Sequence, residues 1–260
     1  MNWCVMPYLG NLNQTYAAVC DVLAQTIADV RLFLINQGGE KLEGIDDPRV
    51  YHVAHVPILP SLAATWNLAL RTVWDTGEDQ ALVVNNDVRV HPELYEALRI
   101  TQAVTGGLLV SAVNVGEAWS EVQTRPILPL SVNFPESTGG PDFSCFLITK
   151  ACHEQYPFDE GFAPAYCEDL DYHRRLMLAG HREKIFSVNL PFLHYASGTL
   201  KGMTEEQRMR HEAAISAGSR AHYVAKWGGG VNQERYTRPF DPTSDQDGVT
   251  TPELQHARHA

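Results

Sequence analysis

No stretch of this 260-residue chain approaches the ~20 consecutive apolar residues that a membrane-spanning helix needs. The opening Met1-Asn2-Trp3-Cys4 has no basic segment followed by an apolar one, so no secretory leader is expected. Cysteine is sparse: Cys4, Cys20, Cys145, Cys152 and Cys167 are an odd, scattered set without a CxxC pair. That pattern excludes a disulfide scaffold and fits free thiols in a reducing cytoplasm. The first thirty residues hold no Lys or Arg and a single glycine, Gly10. They therefore lack a basic, glycine-rich loop of the kind that cradles a triphosphate. Positive charge is scarce overall. Residues 1–173 carry 8 Lys+Arg against 22 Asp+Glu, whereas residues 174–260 carry 12 against 9. A net charge of −11 excludes a generic polyanion binder, whose footprint is basic.

What is present is an ordinary globular composition, 44% hydrophobic and 20% charged, with enough chain to bury a core. The first 110 residues alternate strand and helix. Trp3 to Met6 reads as a buried strand ended by Pro7, and Val30 to Ile35 as a second, stopped at Asn36-Gln37-Gly38-Gly39. Val50 to Val56 reads as a third, Ala81 to Val84 as a fourth and Leu108 to Val113 as a fifth. Between them lie helical spacings: one from a cap at Asn13, one from a cap at Ser61, and one opened by His91-Pro92-Glu93. Such alternation predicts an α/β fold with a mostly parallel sheet and helices on both faces. Further on, Phe143–Thr149 and Lys184–Leu190 read as strands and Glu168–Ala179 as a helix. Thr204–Trp227 reads as one helix, opened by the capping box Thr204-x-x-Gln207 and ended at Gly228. Residues 241–260 read as a polar tail after a single domain spanning 1–240.

Three places suggest chemistry. Val83-Val84-Asn85-Asn86-Asp87 delivers one carboxylate to the carboxyl edge of a buried strand, where open α/β sheets bind ligands; it equally fits a turn. Asp159, Glu160, Glu168, Asp169 and Asp171 crowd five acids into thirteen residues. That repulsion needs an offsetting metal, base role or arginine, with Arg174 and Arg175 nearby. Asp169, at a helix start, suits a general base. His194 closes an apolar run and precedes the small residues Ala196-Ser197-Gly198; it suits a metal ligand or a hydrogen-bonded strand end.

The order Asn85-Asn86-Asp87, Gly139-Gly140-Pro141-Asp142-Phe143-Ser144-Cys145, Phe158-Asp159-Glu160-x-Phe162, Glu168-Asp169-x-Asp171, Arg175-Leu176-x-x-Ala179-Gly180 and His194 resembles family 2 of the inverting glycosyltransferases, which have the GT-A fold. Trp66-Asn67 and Lys226-Trp227-Gly228 also look like that family, and the likeness covers about residues 3–230. It implies a nucleotide-sugar half over residues 1–115 and an acceptor and catalytic half over 116–240. The donor would be a nucleoside-diphosphate sugar, most simply of UDP, bound by Pro7, Tyr8, Asn36, Asn67, Asn85, Asn86 and Asp87. Asp87 and His194 would hold Mn²⁺ or Mg²⁺ on the diphosphate. Asp169 would be the base that takes the acceptor proton, with Glu168 beside it, and Asp142 and Asp171 would face the acceptor. The acceptor is left open among saccharides, lipid-linked groups, proteins and a hydroxymethylated base in DNA, and so is the oligomeric state. Asn85 stands where many relatives carry a first Asp, and Asn36-Gln37 where many carry an Asp for uracil. The competing readings are a sugar-1-phosphate nucleotidyltransferase and a non-catalytic nucleotide-sugar binder.

Overall fold

A computed structural model describes residues 1–54, 59–114, 132–133, 141–195 and 203–245. Among these, nine strands form one sheet: β1 (Asn2–Tyr8), β2 (Val30–Asn36), β3 (Val50–Ala54), β4 (Gln80–Val84), β5 (Val88–Val90), β6 (Leu109–Asn114), β7 (Val132–Asn133), β8 (Cys145–Thr149) and β9 (Ile185–His194). Their order is β3-β2-β1-β4-β8-β6-β9-β5, with β7 also paired to β9. The first four are mutually parallel, as the strand–helix alternation predicts. β8 then enters antiparallel between β4 and β6, and β6 and β9 are parallel to each other. The short β5 and β7 run antiparallel to β9.

The helices are α1 (Leu12–Leu23), α2 (Leu62–Asp75), α3 (Leu94–Thr105), α4 (Lys150–Gln155), α5 (Glu168–Leu178), α6 (Glu205–Ile215) and α7 (Ala221–Trp227). Successive strand residues point to opposite faces, so a strand covered on both sides must be apolar throughout. Cys4 and Met6 join Val19, Val22, Tyr95 and Leu98 in one core, under α1 and α3. Trp3 and Val5 join Trp66, Leu70, Val73, Tyr172 and Leu176 in the other, under α2 and α5. Val83 and Phe146 belong to the second core, while Val84 and Cys145 belong to the first. A third cluster of Phe162, Cys167, Tyr223 and Trp227 lies beneath the chain leading into α5.

Local signals set several ends. Ser61 Oγ accepts the Ala64 N–H at 3.1 Å and caps α2. The capping box of α6 forms in both directions, Gln207 N to Thr204 Oγ1 at 3.2 Å and Thr204 N to Gln207 Oε1 at 2.8 Å. Other ends differ from the sequence reading. α1 begins at Leu12, after Asn11 in a left-handed conformation, so Asn13 is not its cap. The Thr204–Trp227 helix is broken by a π-turn at Ser216–Arg220. There Gly218 backs onto the chain at Ala163, whose carbonyl oxygen lies 2.2 Å from where a β-carbon would stand. β9 runs four residues past the expected Leu190 because β5 pairs with its end. The supposed tail starts later than 241: Tyr236 bridges to Asp245, and Pro242–Ser244 form a 3₁₀ turn capped by Asp241. Residues 55–58 of the expected third strand and its close, together with Gly139-Gly140, Ala196-Ser197-Gly198 and 246–260, lie outside the described residues.

Candidate functional site

The antiparallel register of β5 with β9 builds the first part of the site. Val88 faces His194 across the pair, so the preceding Asp87 comes beside that imidazole. Asp87 Oδ1 lies 3.4 Å from His194 Nε2, and the Tyr195 N–H donates to the Asp87 carbonyl at 2.9 Å. Ser144 Oγ sits 3.1 Å from His194 Nδ1, and the Ser144 N–H donates to Asp142 Oδ1 at 2.8 Å. Asn85 donates its N–H to the Ser144 carbonyl at 2.9 Å, which ties the end of β4 to the same serine. The side-chain oxygen of Asn85 is buried and has no hydrogen-bond partner among the described residues. A carboxylate and an imidazole 3.4 Å apart suit a divalent cation sharing phosphate oxygens. Among the described residues no three His, Cys, Asp or Glu side chains gather as a complete ligand set. Phosphate oxygens of a ligand would therefore have to complete the coordination.

The second part is the start of α5. Tyr166 and Cys167 both have positive φ, 76° and 69°, and turn the chain sharply into Glu168 and Asp169. Glu168 is 4% exposed, and its Oε2 has no hydrogen-bond partner among the described residues. Burial, with the neighbouring Asp169 charge, pushes its carboxyl up to about 8. Asp169 is half-buried, and its Oδ1 accepts the Leu170 N–H at 2.8 Å. Burial raises its pKa too, against the pull of that N–H, and the charge of Asp142 adds to the rise. Asp142 thus stands electrostatically between the base candidate and the Asp87–His194 pair.

The five-acid cluster divides here. Asp171 is fully buried and spent internally: Arg175 Nε at 2.8 Å, Lys226 Nζ at 2.8 Å and Trp227 Nε1 at 3.0 Å all engage it. It does not face an acceptor, contrary to the expectation from the family resemblance, because its carboxylate is the counterion of a buried lysine. Lys226, 4% exposed, also reaches Asp159 Oδ2 at 2.6 Å, and His222 Nε2 lies 2.9 Å from the same oxygen. Burial opposes ionisation of Asp159, but the hydrogen bonds from His222 and Lys226 prevail and lower it to about 2. Arg174 pairs with none of these acids; it donates to the Tyr236 carbonyl at 2.9 Å and lies over the Trp227 ring. Among the described residues no cation forms an ion pair with Glu168 or Asp169. A sequence scan finds the acids but not this partition, because Lys226 arrives from 55 positions beyond Asp171.

The expected donor residues are placed unevenly. Asn86 Nδ2 donates to Thr15 Oγ1 at 2.9 Å, joining the end of β4 to α1. Asn36 closes its own turn, its Oδ1 accepting the N–H groups of Gly38 and Gly39 at 2.9 Å each. Pro7 and Tyr8 end β1 in the buried core, and Tyr8 OH accepts the Leu42 N–H at 3.2 Å. The carboxyl ends of the neighbouring β2, β1 and β4 thereby lie at one edge of the sheet, the edge where open α/β sheets bind ligands. Asn67 is not part of it. Its Oδ1 accepts from Phe158 N at 2.9 Å and from His153 Nε2 at 3.0 Å, and its Nδ2 donates to Phe158 O and Glu160 Oε1. His153 Nδ1 accepts from Trp74 Nε1 at 2.9 Å, so Nε2 carries the ring proton. Burial lowers that imidazole to about 4 and keeps it neutral. Asn67 is thus a brace for the 157–160 chain. Ser144, His153 and Lys226 are the participants that sequence reasoning left unassigned.

The strand order and the helices covering both faces of the sheet give the chain a GT-A fold. Two crystal structures of TarS from S. aureus are similar to it. One, of residues 1–349, superposes with a TM-score of 0.55 at 9% identity, covering 89% of this chain and 74% of that one. The other has a TM-score of 0.57 at 10% identity and covers 83% of this chain but 43% of its own. No family model matches the sequence, and no curated protein matches it. Among the described residues no helix is long and apolar enough to cross a membrane.

Proposed function

We propose that this chain is a glycosyltransferase that moves a sugar from a nucleoside-diphosphate donor to an acceptor hydroxyl with inversion. The observation that carries the reading is the partition of the acids. Asp159 and Asp171 are neutralised internally, while among the described residues no cation pairs with Glu168 or Asp169, and Asp142, whose charge adds to the rise of the Asp169 carboxyl, is one hydrogen bond away from the Ser144–His194 pair beside Asp87. A carboxyl with a raised pKa removes a hydroxyl proton more readily than one held ionised by a salt bridge. Asp169 is the base in this reading, and Glu168 beside it keeps its environment poor in positive charge. Asp87 and His194 would hold Mn²⁺ or Mg²⁺, which as a Lewis acid stabilises negative charge on a departing nucleoside diphosphate. The amide of Asn36, spent on its own turn, leaves base recognition to the surrounding backbone, and uridine is the simplest base to try.

The test is thermal stability against UDP, GDP, dTDP, CDP and ADP, each with and without Mn²⁺. Ligand at ~100 times its dissociation constant adds about 2.7 kcal/mol to the folded state, a shift of several degrees in a chain of this size. A metal-dependent shift with one nucleotide supports the reading. Absence of any shift overturns it.

A further inference from the structure

Tyr166 stands at φ 76° and is 41% exposed, directly before the Glu168–Asp169 pair. Left-handed backbone disfavours a residue with a β-carbon, and an exposed aromatic ring gains nothing there from burial. Glycine would satisfy the turn at lower cost. The surrounding chain nevertheless holds the strained pair firmly. Ser219 Oγ donates to the Ala165 carbonyl at 2.6 Å, and Gly218 of the π-turn packs against Ala163 so closely that a β-carbon would lie 2.2 Å from its carbonyl oxygen. The Leu62 N–H donates to the Pro164 carbonyl at 3.0 Å, and Cys167 is anchored in the cluster with Phe162, Tyr223 and Trp227. Cys167 is thereby drawn inward and Tyr166 turned outward, where its ring meets the edge of His211, at 6.3 Å between centroids. π-turns and strained residues that the fold pins in place concentrate at functional sites.

We infer that Tyr166 is a platform for the acceptor, and that the acceptor presents a neutral pyranose ring. This rests on the glycosyltransferase reading above. An aromatic face attracts the polarised C–H hydrogens on one side of a sugar ring. The sugar hydroxyls then have the half-buried Asp169, three residues further on, to accept their hydrogen bonds. Among the described residues no cation pairs with Asp169 to draw a phosphate or carboxylate, which disfavours an anionic acceptor at this end of the site.

The experiment is saturation-transfer NMR in the presence of Mn²⁺ and whichever nucleoside diphosphate stabilises the protein. The ligands are methyl glucoside, methyl galactoside and methyl N-acetylglucosaminide, measured on the wild type and on Tyr166→Phe, Tyr166→Trp and Tyr166→Gly. Glycine accepts the φ of this position, so Tyr166→Gly is expected to fold with thermal stability at or above the wild type and an unchanged nucleotide shift. At least one glycoside should bind the wild type and the two aromatic variants. Its affinity for Tyr166→Gly should fall fivefold or more. Equal glycoside binding by Tyr166→Gly overturns the inference, as does a wild type that binds none of the three. A Tyr166→Gly variant that is less stable also overturns it, since the ring is then a structural prop. Failure of the nucleotide shift itself refutes the transferase reading instead, so the two failures are told apart.

Discussion

Replacing Glu168 with Gln isolates the electrostatic cost of the acid pair at the start of α5. Glu168 is 4% exposed with an unpartnered Oε2, and its carboxyl titrates near 8 rather than at the ordinary 4.5 because burial opposes its charge. The folded state therefore binds this proton more tightly than the unfolded state does. The resulting stability is fully present below about pH 4.5 and is lost as pH rises through about 8. Each pKa unit corresponds to about 1.4 kcal/mol. By linkage the loss is about 1 kcal/mol at pH 5, about 3 kcal/mol at pH 7 and about 4–5 kcal/mol at pH 8.5. Glutamine has nearly the same shape and stays neutral, so the variant escapes this loss. Urea denaturation of both proteins at the three pH values measures the difference directly. Glu168→Gln should be close to the wild type at pH 5 and progressively more stable above it. A stability difference that stays flat from pH 5 to 8.5, or a variant less stable at pH 8.5, would falsify the argument.

Other outcomes follow from the same geometry. Lys226→Met leaves Asp171 and Asp159 without their shared cation in a buried setting, at an expected cost of about 3–5 kcal/mol in denaturant unfolding; a loss below 1 kcal/mol would mean the pair is solvated. Gly218→Ala drives a β-carbon into the Ala163 carbonyl and should cost about 1–3 kcal/mol, with the loss visible as a lowered melting temperature. Because the Asp169 carboxyl is raised, sugar transfer should fall off as pH drops at a point above the ordinary carboxylate range, and Asp169→Asn should abolish transfer while keeping the nucleotide shift; full activity down to pH 4 would refute the base assignment. His194→Ala should remove the Mn²⁺-dependent part of the nucleotide shift and leave the metal-independent part; an unchanged metal response would place the cation elsewhere.

Much of the first half was legible because its strands are covered on both faces and so read as unbroken apolar runs: Ala81 to Val84 and Val30 to Ile35 are found where expected. The capping box at Thr204 and the glycine stop at Gly228 were equally plain, since both act within a few residues. Val88–Val90 and Lys150–Gln155 escaped because three- and six-residue elements carry too little periodicity to register. The break in the long C-terminal helix escaped for another reason: Gly218 is needed by the distant Ala163 backbone and not by the helix itself.

Among candidate site residues, Asp87, His194, Glu168 and Asp169 were singled out by residue type, order and place at element ends, and the α/β class followed from the alternation of apolar runs. Those are local properties, decided by side-chain polarity and backbone preference over ten residues or fewer. Which acids remain uncompensated was decided only by tertiary structure. Lys226 crosses from α7 to neutralise Asp159 and Asp171, and the β5–β9 register sets Asp87 against His194. Asn67, apparently a cleft residue, is consumed as a brace for the 157–160 chain. Charge pairing and hydrogen-bond satisfaction depend on distances of 3–4 Å between residues far apart in the chain, and folding alone sets those distances.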